Sequence, residues 1–146
     1  MGKINDKILG ELIYDGGWKK DEILVYRKKE IKIKIIFSAY EDEYVNEKQI
    51  EGYRWFKTNI ANILEESQKL IIKHYECFKE DILEECNIKT LPDDIFSLIE
   101  VEYILITENG RVGILFNNML GEEEVIIIDE NKKLSIEIPE EIWYDE

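Results

Sequence analysis

The hydrophobic pattern is densest and most regular between Asn46 and Leu83. Apolar residues recur there as Ile50, Tyr53, Phe56, Ile60, Ile63 and Leu64, then as Leu70, Ile71, Tyr75, Phe78 and Ile82. Steps of three and four place them on one side of a helix. Asn46 followed by Gln49 is a start signal, pairing a side-chain acceptor for orphan N–H groups with an amide three residues on. One unbroken helix over the stretch would run about 55 Å at 1.5 Å per residue. A compact chain of this size has a radius of gyration of about 15 Å. The pattern is therefore read as two helices, 46–57 and 59–80, divided at Lys57-Thr58-Asn59, where Thr58 or Asn59 caps the second.

Period-two patterning flanks this stretch on both sides. Ile8 to Tyr14 reads as a strand and Glu22 to Arg27 as its partner, with Gly16-Gly17 permitting a tight backbone in the loop between them. Trp18, in that loop, is a plug over the end of the core or a surface anchor. Ile31-Lys32-Ile33-Lys34-Ile35 alternates cleanly, isoleucines inward and lysines in water. Beyond the helical stretch, Thr90-Leu91-Pro92-Asp93-Asp94 opens a short helix through about Leu98 by capping, early proline and acids at the positive dipole end. Val101 to Thr107 and Arg111 to Phe116 form a hairpin, for which Asn109-Gly110 suits a type I′ turn. Glu124 to Asp129 and Leu134 to Ile138 complete the strands, and Pro139 stops the last one. The order β-β-β-α-α-α-β-β-β-β implies an α+β fold in one domain, residues 1–146, with a mostly antiparallel sheet and the helices on one face.

Composition fits this reading. Hydrophobic content of 45% and charged content of 36% describe a globular chain. The longest apolar runs, such as Val125 to Ile128, are far short of the roughly 20 residues that cross a bilayer. The N-terminus turns polar at once, without an export signal, so a cytoplasmic location is expected. Cys77 and Cys86 fit neither a C-x-x-C pair nor a disulfide framework, and free thiols are expected.

Charge changes the picture more. Residues 1–60 hold 12 Lys and Arg against 11 Asp and Glu, whereas residues 61–146 hold 7 against 22. The net charge of −14 thus arises in the latter part of the chain. A field of that sign disfavours nucleic acid and anionic membranes and favours a basic protein partner, or serves solubility alone.

Signals of chemistry are sparse. His74 and Cys77 share a helix face, and with Cys86 and a glutamate would form a zinc set by residue type. The ligand count is short, however, and no orienting third group accompanies a His74–Cys77 pair. The paired carboxylates lie in solvated turns, and the frames of a phosphate loop, a calcium loop and a serine nucleophile are all missing. No catalytic, cofactor or metal residue is assigned. What remains is interaction. Acidic runs fall in predicted loops, at Glu41-Asp42-Glu43, Glu122-Glu123-Glu124 and Asp129-Glu130, and Trp18, Trp143 and Tyr144 stand near charged segments as interface anchors. A carboxylate-rich surface with a few aromatic anchors suits capture of a Lys- and Arg-rich protein.

The run Leu9-Gly10-Glu11-Leu12-Ile13-Tyr14-Asp15 with Trp18, followed by Gln49, Tyr53 and Phe56 and by Ile71 through Tyr75, resembles a family of uncharacterised bacterial domains. The likeness covers roughly residues 8 to 78. Some such small acidic domains are similar to immunity proteins that guard a host against a neighbour's toxin. The family carries no established activity, and the resemblance transfers no functional residue. The segregated acidity and the missing catalytic apparatus lead to the expectation of a non-enzymatic binding protein, with an immunity-type inhibitor of a basic toxin such as a nuclease as its particular form. A ligand-binding or enzymatic domain with a pocket between helices and sheet is the alternative.

Overall fold

Eight strands lie in one sheet in the order of the chain, as the computed structural model shows for residues 2–40, 42–85, 99–118, 123–129, 131–137 and 140–143. They are β1 (Lys3–Asp6), β2 (Gly10–Tyr14), β3 (Trp18–Tyr26), β4 (Lys29–Phe37), β5 (Ile99–Ile106), β6 (Val112–Asn118), β7 (Glu123–Ile128) and β8 (Leu134–Glu137). Helices α1 (Glu47–Cys77) and α2 (Lys79–Glu85) come between β4 and β5, and α3 (Glu140–Trp143) follows β8. Neighbouring strands run antiparallel except β4 and β5, which are parallel because α1 lies in the crossover between them.

The expected break at Lys57-Thr58-Asn59 does not occur, and α1 is one helix of 31 residues. Its buried residues, among them Tyr53, Phe56, Ile63, Leu64, Ile71 and Tyr75, keep one phase through the supposed break. The Asn59 side chain does not cap a second helix but donates to the Trp55 carbonyl one turn back, at 2.9 Å. The relevant length is also that of the sheet. Seven gaps of about 4.8 Å make it about 34 Å wide, so a helix of about 46 Å is close to its diagonal.

The start of α1 is as expected. Asn46 Oδ1 accepts from the Gln49 N–H at 2.9 Å, and Gln49 Oε1 accepts from the Asn46 N–H at 3.0 Å. The Gln49 amide goes on to donate to the carbonyls of Ser38 (2.8 Å) and Ile106 (3.2 Å), tying the ends of β4 and β5 to the helix. Gly52 lets the helix approach the β5–β6 hairpin, since a Cβ there would come 2.7 Å from the Gly110 carbonyl oxygen.

Several other expectations are corrected. The strand at Lys3–Asp6 carries no period-two signal, because Ile4 is its one apolar residue. Trp18 is the first residue of β3 and lies in no loop. Asn109-Gly110 is not a type I′ turn. Gly110 alone has positive φ, and the Gly110 N–H donates to the Thr107 carbonyl at 2.8 Å, while the Thr107 N–H donates to Arg111 at 2.9 Å, giving a three-residue loop. The two-residue turn with positive φ at both positions is instead Arg27-Lys28, between the paired Tyr26 and Lys29. Side chains with a Cβ are strained there, so Arg27→Asn with Lys28→Gly is expected to stabilise the fold by about 1 kcal/mol. A urea unfolding midpoint that falls would contradict this turn. The short helix expected from Thr90 to Leu98 lies outside the described residues.

The helices do not all share a face. On the α1 side, Leu12, Leu24, Ile33, Ile35, Phe37, Ile104, Ile106, Ile114 and Phe116 form the main core with Phe56 and Ile71. On the far side, Ile142 of α3 packs with Ile36, Leu105, Leu115, Val125 and Ile127. Gly113 is required beneath it, because a Cβ would stand 2.3 Å from Ile142 Cδ1.

Candidate functional site

Alternation divides the side chains of the first four strands between the two faces. Leu12, Leu24, Ile33 and Ile35 go to the α1 core. Glu11, Ile13, Lys19, Asp21, Ile23, Val25, Lys32 and Lys34 go to the far face, where no described element covers them. A cleft of about 790 Å³ opens there, lined by Glu11 and Ile13 of β2, Lys19 and Asp21 of β3, Ile36 of β4, and Glu102 and Tyr103 of β5. The alternative expectation is a pocket between helices and sheet. The larger cleft opens on the opposite face, and a smaller one of about 410 Å³ is lined by Asp21, Glu22 and Ile23 of β3 and Lys57 of α1.

The cleft exists because the sheet forks. β1 and β2 pair over four residues, but β2 and β3 pair only at Ile13–Lys19 and Tyr14–Trp18. Continued in register, the ladder would set Leu12 opposite Lys20 and then Glu11 opposite Asp21. Like charges directly opposite one another destabilise a ladder. Gly10, at φ 82°, turns the chain where β2 begins. The remainder of β3, Lys20–Tyr26, therefore keeps one edge bonded to β4 and the other without a strand among the described residues.

Charges around the fork are matched locally. Lys19 meets Asp15 at 3.5 Å, Asp21 meets Lys34 at 2.5 Å and Lys32 at 3.6 Å, and Lys3 meets Glu11 at 3.6 Å. The hydrogen bond from Lys34 holds the Asp21 carboxyl below the usual carboxylate range, with Lys32 adding to it. Exposed pairs of this kind contribute little to stability, and their effect is to fix where charge stands.

Under the sheet, at the same level, is a network that patterning alone did not reveal. Glu22 is buried on the α1 side, where Lys57 of the helix bonds one carboxylate oxygen and Lys20 approaches the other at 3.2 Å. Lys20 also donates to the Tyr53 hydroxyl at 2.8 Å. Burial pushes the Glu22 carboxyl up, but the two lysines outweigh it and the net displacement is downward. The hydrogen bond to Glu22 pushes the Lys57 ammonium up. The available signal was the even numbering of Lys20 and Glu22, which shares the inward phase of Leu24.

Of the residues anticipated as an interface, those described lie in separate parts of the fold. Trp18 is 4% exposed, and its indole N–H donates to the Glu43 carbonyl at 2.7 Å. Its ring lies edge-on to Tyr14 and Tyr44, and Tyr44 donates to the Asp6 carboxylate. Burial and Asp6 push the Tyr44 hydroxyl up to about 12. Trp18 is thus the plug and not a surface anchor, since the loop after β4 folds over it. Asp42 and Glu43 are exposed on that loop. The registers Trp18–Phe37, Phe37–Ile106, Ile106–Val112 and Val112–Ile128 place them at the same end of the sheet as Asp129. Asp129 is occupied in its turn, accepting from the N–H groups of Asn131 (2.8 Å) and Lys133 (2.9 Å). Lys132 and Lys133 stand exposed at that same end. The backbone of Glu123 and Glu124 begins β7 at the opposite end of the sheet, so the described parts of the acidic runs do not share one end. The backbone of Trp143 is in α3. Glu41, Glu122, Glu130 and Tyr144 lie outside the described residues.

His74 is half-buried between the rings of Tyr75 and Phe78, which lowers its pKa by desolvation, and Cys77 is exposed with a free thiol. Cys86, the remaining member of the zinc set, lies outside the described residues. Among those described, no three His, Cys, Asp or Glu gather as metal ligands, and no helix is long and apolar enough to cross a membrane. A family model described as a domain of unknown function (DUF6985) matches residues 8–119. No curated protein and no solved structure matches the chain.

Proposed function

The chain belongs to the DUF6985 family of domains of unknown function, and from that premise we propose that it is a non-enzymatic, cytoplasmic binding protein for a basic partner. The observation that carries this reading is the local matching of charge in the early strands. Lys3, Lys19, Lys20, Lys32 and Lys34 are each matched by a carboxylate among residues 11 to 22. The surplus behind the net charge of −14 belongs to the later carboxylates. Of these, Glu76, Glu80, Asp81, Glu84, Glu100, Glu102, Glu108, Glu137 and Glu141 are exposed. They are spread over the described surface, so what supports the reading is the overall negative field and not an acidic contact patch.

An inhibitor of a basic toxin or nuclease, of the immunity type and from a bacterium, is the particular form this reading takes. It predicts submicromolar binding to a cognate basic protein at low salt, with association slowing steeply as ionic strength rises. Surface plasmon resonance against a panel of basic proteins, toxin nucleases among them, at stepped sodium chloride concentrations checks it. Binding to none of them at low salt, or association rates indifferent to salt, would remove the reading.

A further inference from the structure

The two-residue turn between Tyr26 and Lys29 makes those residues a hydrogen-bonded pair. Bonding then alternates along the ladder, so Lys20, Glu22, Leu24 and Tyr26 direct their backbone groups to β4. Asp21, Ile23 and Val25 direct their N–H and C=O groups to the opposite edge, which no described strand meets. On β2 the phase is fixed by the Tyr14 N–H, which donates to Gly2 at 2.9 Å on the β1 side. Glu11 therefore turns its backbone groups toward the same gap.

We propose that this fork takes up an extended segment of a basic protein, which adds as a strand along β3 and carries Lys or Arg at alternate positions. This rests on the basic-partner reading above and names the surface that would meet it. Three features support the occupant. First, Ile23 and Val25 are 64% and 63% exposed on a long open edge, an arrangement that natural sheets usually suppress and that strand addition uses. Second, alternate side chains of an added strand stand on the far face beside Glu11 and Asp21. Third, Glu102 is the extra residue of a bulge in β5 between Val101 and Tyr103, and it lines the cleft. The cleft lysines Lys19, Lys20 and Lys34 are already matched by Asp15, Glu22 and Asp21, so a positive segment meets Glu102, and Glu11 in exchange for its exposed contact with Lys3.

The test uses the full chain and a labelled peptide of sequence Lys-Ile-Lys-Val-Lys-Ile-Lys, read by fluorescence anisotropy. Two control peptides accompany it, one with glutamates for the lysines and one N-methylated at alternate residues to remove ladder donors. Ile23→Pro removes one outward N–H and leaves the β4 ladder intact. The expected result is binding of the parent peptide, weakened at least about tenfold by N-methylation, by the glutamates and by Ile23→Pro. Equal affinity for the parent and N-methylated peptides would overturn strand addition, and this comparison needs no variant to fold. A dimer of the chain that Ile23→Pro dissolves would assign the edge to a second copy and overturn the proposal. Unchanged binding of a basic protein to Ile23→Pro would sink the fork alone, whereas no binding to any basic probe would sink the basic-partner reading as well.

Discussion

Gln49→Leu is expected to lower the unfolding free energy by about 3–5 kcal/mol, one of the two largest losses anticipated for a single substitution in this chain. Gln49 is 1% exposed, and its side chain makes three hydrogen bonds, one from the Asn46 N–H in the helix cap and two to the carbonyls at the ends of β4 and β5. Leucine matches its volume, so the loss isolates the polar contacts. The Asn46 N–H and the Ser38 carbonyl lose this partner, while the Ile106 carbonyl keeps the Ser38 N–H at 2.9 Å, and each unsatisfied buried group costs about 1–3 kcal/mol. Asn46→Ala removes only the cap acceptor and a surface contact with the Glu108 carbonyl, so a smaller loss of about 1 kcal/mol is expected. Urea unfolding of both variants checks the ranking. A Gln49→Leu loss below that of Asn46→Ala would contradict it.

Glu22→Leu is the second large effect. It strands the Lys20 ammonium, which is nearly buried, and removes the strand partner of Lys57. Breaking a buried pair from one side costs about 3–5 kcal/mol, whereas replacing both partners is often close to neutral. The double variant Lys20→Met with Glu22→Leu is therefore expected to recover most of the loss. The pH dependence has a definite sign. Glu22 has a folded value below its ordinary 4.5, so its contribution is present above 4.5 and is lost as pH falls through the folded value. Lys57 has a folded value above its ordinary 10.5, so its contribution is present below 10.5 and is lost as pH rises through the folded value. Stability against pH should accordingly lose part of its acid and alkaline slopes in Glu22→Leu. Unchanged slopes would show that the pair is not linked to folding.

Much of the architecture was legible because it rests on local patterns. The Asn46–Gln49 start, the alternating Ile31 to Ile35 and the strands around Val112 to Phe116, Val125 to Ile128 and Leu134 to Ile136 all follow from periodicity and capping. Features set by long-range pairing were not legible. Whether α1 breaks depends on the width of the sheet beneath it, which no window of residues reports. The turn at Arg27-Lys28 carries neither Asn nor Gly, so its positive φ values come from the β3–β4 register and not from turn chemistry. The fork is written in the sequence only once the register is known, when Glu11 and Asp21 fall opposite one another. The acidic runs misled for a related reason. Runs at Asp42-Glu43 and Glu123-Glu124 look alike in sequence, yet strand direction sends them to opposite ends of the sheet. The sequence around Trp18 suits a plug or an anchor alike, and the loop that folds over it decides for the plug.

Amide hydrogen exchange along β3, measured with and without the alternating Lys-Ile peptide, tests most directly whether β3 offers one open edge to a basic strand. In the free chain, Glu22 and Leu24 should be protected by β4 while Asp21, Ile23 and Val25 exchange freely, and the peptide should slow those three. Uniform protection along β3 in the free chain, or exchange at Asp21, Ile23 and Val25 that saturating peptide leaves unchanged, would contradict it.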